Sequence, residues 1–261
     1  MLEELYAGAL ADATSRSQIV SISDLERLID SQLPALNPIG TFRSNQFVSV
    51  IAEIKRASPS KGLIAPVPRA DELAGTYQDA GATAISVLTE GRKFLGSLDD
   101  LDSVRKIAKI PLLRKDFIAN EYQVLEARAH GADMILFIVA GLNQPHLEHL
   151  YGFASELGMT CLVETHSRDE VLRAIDLGAQ LIGINARDLS SFETDRNLFG
   201  ELSALLPQEV IAVAESAVRN QQDVIQYASF GAEVVLVGEA LVTGDTANLL
   251  KSLCSVPKIR I

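Results

Sequence analysis

The stretch Gln123-Val-Leu-Glu-Ala-Arg-Ala-His-Gly-Ala-Asp-Met-Ile-Leu-Phe-Ile-Val139 holds one complete unit of an architecture. Its first part, Gln123–His130, spaces apolar residues near 3.6 and predicts a helix. Gly131 follows, and a Gly just past a helix end is the usual left-handed stop. Met134–Val139 is then continuously apolar, as strands buried on both faces of a parallel sheet are. The same junction recurs at Ala80-Gly81-Ala82, Leu177-Gly178-Ala179 and Phe230-Gly231-Ala232, with Leu157-Gly158-Met159 as a close variant. One junction repeated means one βα layout repeated.

Further apolar runs predict strands over Val48–Lys55, Ala84–Leu88, Pro111–Lys115, Thr160–Glu164, Leu181–Asn185, Val210–Ala214 and Val234–Val237. Helical spacing lies between them at Ala70–Ala80, Gln144–Glu156, Arg168–Asp176, Asn197–Leu205 and Gln221–Phe230. Eight strands alternating with helices is the count of an α/β protein of the (β/α)8 TIM-barrel type. An open dinucleotide-binding sheet would carry G-x-G-x-x-G after its first strand. Here Arg56-Ala-Ser-Pro-Ser-Lys-Gly62 stands there instead. Residues 1–47 read as an N-terminal helical extension packed on the barrel of residues 48–261, one structural domain overall. Within the extension, Ser23 and Glu26 have the spacing of a capping box for a helix over Ser23–Asp30, and Pro34, Pro38 and Gly40 mark an irregular lead-in.

Composition narrows the function. Apolar residues make up 48% of the 261, enough for a real core. A net charge of −11 argues against nucleic acid or an anionic membrane as partner, while leaving room for a small anionic ligand at a local basic site. Two Cys supply neither a disulfide framework nor a four-thiolate zinc site. Glu3 and Glu4 stand where a signal peptide would carry Lys or Arg, and the run Met134–Leu142 falls short of the ~20 residues of a membrane span. The expectation is a cytoplasmic protein, monomeric because no interface stripe is evident.

In such a barrel, function lies at the C-terminal ends of the strands. The polar residues there are Glu53 and Lys55, Lys115, Glu164, Asn185 and Arg187, Glu215 and Ser216, and then Gly238. Buried parallel strands tolerate charge only with a task or a partner. Amines mixed with carboxylates suit proton transfer, and a Lys in a dry pocket is expected to have its pKa lowered and become a usable acid. Phosphate is the second expectation, because the turns after strands seven and eight, with Ser216 and Gly238, form a recurrent barrel phosphate site. The segment Lys55-Arg-Ala-Ser-Pro-Ser-Lys61 adds hydroxyls and positive charge.

Other residues fit blander roles. His146 and His149 have the spacing of a metal pair but lack further ligands, so a solvated helix face is expected. Cys161 reads as a core residue, and His166 is left out of the site.

The motifs resemble those of the indole-3-glycerol phosphate synthases. Ile51-Ala-Glu-Ile-Lys-Arg-Ala-Ser-Pro-Ser-Lys-Gly62 resembles the family's strand-one signature. The likeness continues through Phe94-Leu-Gly-Ser-Leu98, Leu113-Arg-Lys-Asp-Phe-Ile118, Leu162-Val-Glu164, Gly183-Ile-Asn-Ala-Arg-Asp-Leu189, Val213-Ala-Glu-Ser216 and Leu236-Val-Gly-Glu239. The resemblance implies ring closure, decarboxylation and dehydration of 1-(2-carboxyphenylamino)-1-deoxyribulose 5-phosphate in tryptophan synthesis, a carboxy-lyase reaction with no metal or cofactor. It implies Lys115 as general acid, Glu164 as its partner in proton transfer, Lys55 beside the substrate carboxylate, and Glu53 orienting the lysines. Asn185 positions Glu164 or the hydroxyl, Arg187 and Glu215 shape the polar mouth, and Ser216 contacts the ligand. Phe94, Phe117, Leu136, Leu189 and Pro59 match the aromatic slot. Ser58, Gly238 and the backbone at Ala217 and Glu239 match the phosphate site. Ala217 departs from the family's usual Gly, and a left-handed Ala there would cost on the order of 1 kcal/mol.

Two other readings stay open: a sugar-phosphate-binding barrel without catalysis, and another phosphate-binding barrel enzyme such as an isomerase or a Schiff-base aldolase.

Overall fold

The molecule, a computed structural model, is described over residues 1–187 and 193–259. Its frame is a closed ring of parallel strands. They are β1 (Ser49–Ile54), β2 (Ala84–Leu88), β3 (Leu112–Lys115), β4 (Met134–Ile138), β5 (Thr160–Thr165), β6 (Leu181–Asn185), β7 (Ile211–Glu215) and β8 (Val234–Val237). Each strand pairs with the next in sequence, and β8 closes on β1 through Ala52 opposite Val237. This is the (β/α)8 barrel expected, with strand ends displaced by no more than about one residue, within the usual scatter of assignment.

The strands form where they do because both of their faces are covered. Val50, Ile51, Ile85, Leu113, Ile135, Val163, Ile182, Val213 and Val235 are all fully buried. Most of the barrel helices carry a signal in the sequence at one end or both. The side chains of Ser97, Asn120, Asn143, Ser167 and Asn220 each accept a hydrogen bond from the backbone N–H three residues on, capping the helix that follows. At the other ends Gly81, Gly131, Gly158, Gly178 and Gly231 all take positive φ, the left-handed stop that the repeated junction implied.

Several elements differ from expectation, the helices Glu239–Thr243 and Thr246–Leu253 after β8 among them. The helix Leu98–Ile107 lies between β2 and β3, where acidic Asp99, Asp100 and Asp102 dilute the apolar spacing and only Leu101 and Val104 are buried. In the extension, the capping box belongs to Ser21 and Asp24, not to Ser23 and Glu26, and the helix runs Ile22–Ser31. The earlier register turns Leu25 inward, 1% exposed, against Tyr122, Leu125 and Ala129. A first helix, Leu2–Ser17, carries Leu5, Tyr6 and Ala9 into the main core. Tyr6 passes over Gly141, where no Cβ would fit, and its hydroxyl donates to the Ile138 carbonyl at 3.4 Å. The extension thereby reaches the C-terminal end of the barrel. Among the described residues no helix is long and apolar enough to cross a membrane.

Candidate active site

The C-terminal ends of the strands open into a cavity of about 550 Å³, the size of small-molecule sites. Period-two alternation brings Glu53, Lys115, Glu164, Asn185 and Glu215 from five strands into it. The three carboxyl residues are 1–2% exposed.

Their contacts form one cluster. Nζ of Lys115 lies 3.1 Å from Oε2 of Glu164 and 3.5 Å from Oε2 of Glu215. Nδ2 of Asn185 donates to Oε1 of Glu164 at 3.0 Å. Oδ1 of Asn185 accepts from the Ser216 hydroxyl at 2.7 Å and from the Arg187 backbone N–H at 3.1 Å. On the facing strand, Nζ of Lys55 is 2.8 Å from Oε1 of Glu53. Gly238 is required there, because a Cβ would overlap the Glu53 carboxylate and come within 3.2 Å of the Lys55 ammonium.

The electrostatics correct one expectation. Burial alone would lower the Lys115 pKa, but Glu164, Glu215 and Glu53 outweigh it and raise that pKa above the ordinary lysine value. Glu164 faces burial too, yet Lys115, His166 and Asn185 hold it well below the usual carboxylate range. Glu215 goes the other way: burial and the Glu164 anion raise its pKa against the pull of Lys115. Its Oε1 is buried without a hydrogen-bond partner, which fits a carboxyl that keeps its proton. The site thus sets an ammonium between a firm anion and a weakly acidic carboxyl.

Part of the cavity lining is apolar. Phe94 and Phe117 lie with ring centroids 6.1 Å apart, and Leu136 and Pro59 line the same space. Tyr6 packs edge-on against Phe117 at 5.7 Å, backing this wall from the extension. Ser58, Arg187, Ala217, Gly238 and Glu239 line the same cavity. Ser216 and Ala217 take φ of 69° and 59°, so Ala217 does occupy the left-handed region that its family counterpart fills with Gly. Lys61, on the short hairpin formed by Ala57–Ser58 and Gly62–Leu63 after β1, reaches Glu239 at 2.5 Å. All the site residues expected from sequence line this one cavity except Leu189, which lies outside the described residues.

Sequence reasoning missed a second polar layer behind the cavity. Arg114, fully buried, points away from Lys115 and ion-pairs with Asp116 at 3.1 Å and Glu126 at 3.4 Å. Arg16 of the extension closes the network with a two-pronged contact on Glu126 at 2.6 and 2.8 Å. The signal was present: a charge adjacent to Lys115 on a buried strand must face the helices and needs partners there. His166 was also passed over, although it touches Glu164.

His146 meets the Ala119 carbonyl and His149 the exposed Glu121 carboxylate. Among the described residues no cluster of His, Cys, Asp or Glu is arranged to hold a metal ion. Cys161 is buried, and its thiol is pushed up to about 12 by that burial.

Comparison with known proteins adds an independent line. The family model for indole-3-glycerol phosphate synthase matches residues 2–253. The indole-3-glycerol phosphate synthase of Leifsonia xyli subsp. xyli is 53% identical over 98% of both chains. That of Mycolicibacterium smegmatis is 50% identical, covering 97% of this chain and 93% of its own. Among solved structures, 3-hexulose-6-phosphate synthase from Salmonella typhimurium superposes with a TM-score of 0.61 at 14% identity, over 79% of this chain and 96% of that one, which shows the shared barrel alone.

Proposed function

The chain belongs to the indole-3-glycerol phosphate synthase family, and from that membership we propose how its residues divide the family's reaction. It is a carboxy-lyase of tryptophan biosynthesis, acting on a small phosphate ester, 1-(2-carboxyphenylamino)-1-deoxyribulose 5-phosphate. The ring carbon bearing the carboxylate attacks the ketone, and the carbonyl oxygen becomes an alkoxide and then a hydroxyl. Carbon dioxide leaves, restoring the aromatic ring. The hydroxyl then departs as water while the methylene carbon next to the nitrogen loses a proton, which forms the carbon–carbon double bond of the indole.

Lys115 is the acid at the ketone oxygen. An alkoxide approaches the basicity of hydroxide, whose conjugate acid has a pKa of about 15.7, so even a lysine held above its ordinary value can protonate it. The observation carrying this reading is the Lys115 ammonium held between Glu164 and Glu215 in a cavity that Phe94 and Phe117 also line. Glu164, an anion in the free protein, takes up and returns the proton near the same oxygen. Lys55 meets the substrate carboxylate and serves as acid in dehydration, with Glu53 as its orienting partner and base. Asn185 and Ser216 hold Glu164 and the hydroxyl in line. Phe94, Phe117, Leu136, Pro59 and Leu189 stack the aromatic ring. Ser58, Gly238 and the backbone of Ala217 and Glu239 take the phosphate, with Arg187 and Glu215 bounding the polar mouth.

We infer a monomer working in the cytoplasm, with the extension of residues 1–47 serving as part of the barrel's wall, where Leu2 and Leu5 line the cavity. The test is direct. The chain contains no Trp, so product indole fluorescence rises over a background of Tyr and Phe alone. Growth of that signal with release of carbon dioxide is expected. Binding without turnover would favour a non-catalytic barrel, and a borohydride-trapped lysine adduct would favour an aldolase.

A further inference from the structure

His166 stands one residue beyond β5, its side chain 10% exposed, between two carboxylates. Nε2 is 3.2 Å from Oε1 of Glu164, close enough for an ion pair though off the line of a straight hydrogen bond. Nδ1 is 3.2 Å from Oε2 of Glu170. Glu170 is itself fixed: it accepts from the His166 backbone N–H at 2.9 Å and from the Ser167 hydroxyl at 3.1 Å. Ser167 in turn caps the helix Arg168–Asp176. A rigid helix end is thereby linked, through Ser167 and Glu170, to the imidazole and on to Glu164.

The oxygens of Glu164 are divided. Oε1 is approached by His166 and Asn185, and Oε2 by Lys115. Two further acids, Glu215 from β7 and Glu53 from β1, share the interior with Glu164, and Glu215 is in direct repulsion with it. The cations facing Glu164 are Lys115 and His166. His166 itself is faced by Glu164 and Glu170, and together they push its imidazole up to about 10 against the cost of burial.

We propose that His166, clamped by Glu170, is a positioning residue for the reaction assigned above: it turns Glu164 so that Oε2 serves Lys115, and its positive charge keeps Glu164 an anion beside Glu215 and Glu53. The inference rests on that assignment for its catalytic meaning. It does not require His166 to touch substrate. Carboxylate–histidine pairs that orient a functional group from behind lose about 10–100-fold when broken at metal sites, and this is the same geometry applied to a carboxylate.

The test compares His166→Asn and Glu170→Gln with the unsubstituted protein. His166→Asn should lower kcat about tenfold with KM within about threefold, because substrate contacts are untouched. Loss of a cation raises the Glu164 pKa, so the acid limb of the kcat–pH profile should move up by about half a unit or more. Glu170→Gln, which leaves the ring in place and frees its clamp, should move the limb the same way by less. Nitrogen NMR of the imidazole should show a doubly protonated ring at pH values above the ordinary histidine range. An acid limb unmoved in both variants overturns the inference, even if activity falls. So does a ring that is neutral at neutral pH. Absence of turnover by the unsubstituted protein would refute the assigned reaction instead, and the NMR result still decides the state of His166.

Discussion

Gly183 on β6 gives the sharpest test of how the acid–base cluster is held. The Glu215 carboxyl from the neighbouring strand lies directly against its backbone. A Cβ at 183 would overlap Oε1 of Glu215, stand 3.2 Å from its Cδ and 3.3 Å from Cδ1 of Leu162. Ordinary contacts are about 3.5–4.0 Å, so Gly183→Ala forces the carboxyl back by roughly 1 Å. Retreat is obstructed, since Glu215 is 1% exposed and Lys115 stands 3.5 Å from its other oxygen. Overpacking of this kind costs about 1–3 kcal/mol, which for a chain of this size lowers Tm by roughly 4–8 °C at the middle value. A reacting group misplaced by about 1 Å can cost on the order of 100-fold. The variant should lose about that much kcat, with KM little changed because the aromatic wall and phosphate end are untouched. Turnover followed by indole fluorescence, with thermal unfolding alongside, checks both numbers. Gly152→Ala is the control, an exposed helical Gly with no atom near its missing Cβ, and should gain roughly 0.5–1 kcal/mol. A Gly183→Ala protein with the parent's kcat and Tm would refute the claim that close contact fixes Glu215.

Ala217→Gly should stabilise the protein. Relief of a left-handed Ala, about 1–2 kcal/mol, exceeds the roughly 0.4–1 kcal/mol of added chain entropy, so a Tm rise of about 1–3 °C is expected in calorimetry. Stability should also carry the signature of His166. Its folded pKa is raised to about 10, so its contribution is full below the unfolded value near 6.5 and is lost as pH rises through that window. Denaturant unfolding of His166→Asn between these limits should show a flatter decline than the parent; an equal slope would contradict the charged imidazole. Arg16→Ala removes a partly exposed partner from buried Glu126, which keeps Arg114, and should cost about 2 kcal/mol in the same assay.

The barrel was legible because its strands are unbroken apolar runs and its helices stop at Gly. The helix Leu98–Ile107 was not, because a surface helix rich in Asp shows little periodicity when only Leu101 and Val104 need burial. The cap at Ser21 was displaced because Ser21/Asp24 and Ser23/Glu26 carry the same spacing, and only the burial of Leu25 against Tyr122 separates them. At the site, charges on buried strand ends announced themselves. What stayed hidden depends on pairings across the barrel. Lys115 was expected to be depressed because a strand shows burial but not the three carboxylates that β1, β5 and β7 bring around it. His166 gained meaning only when the capped helix after β5 placed Glu170 behind it. Arg114 found its partner Glu126 on the next helix, a carboxylate that Arg16 of the extension holds as well.

The most direct measurement is single-turnover conversion of the carboxyphenylamino-deoxyribulose phosphate by the unsubstituted protein and by Lys115→Ala, with substrate binding measured in parallel. Loss of the acid should reduce the chemical rate by about a thousandfold or more, several kcal/mol of transition-state stabilisation, while affinity changes far less. A Lys115→Ala protein that keeps more than about a tenth of the parent rate would contradict the account and move the general acid to another residue.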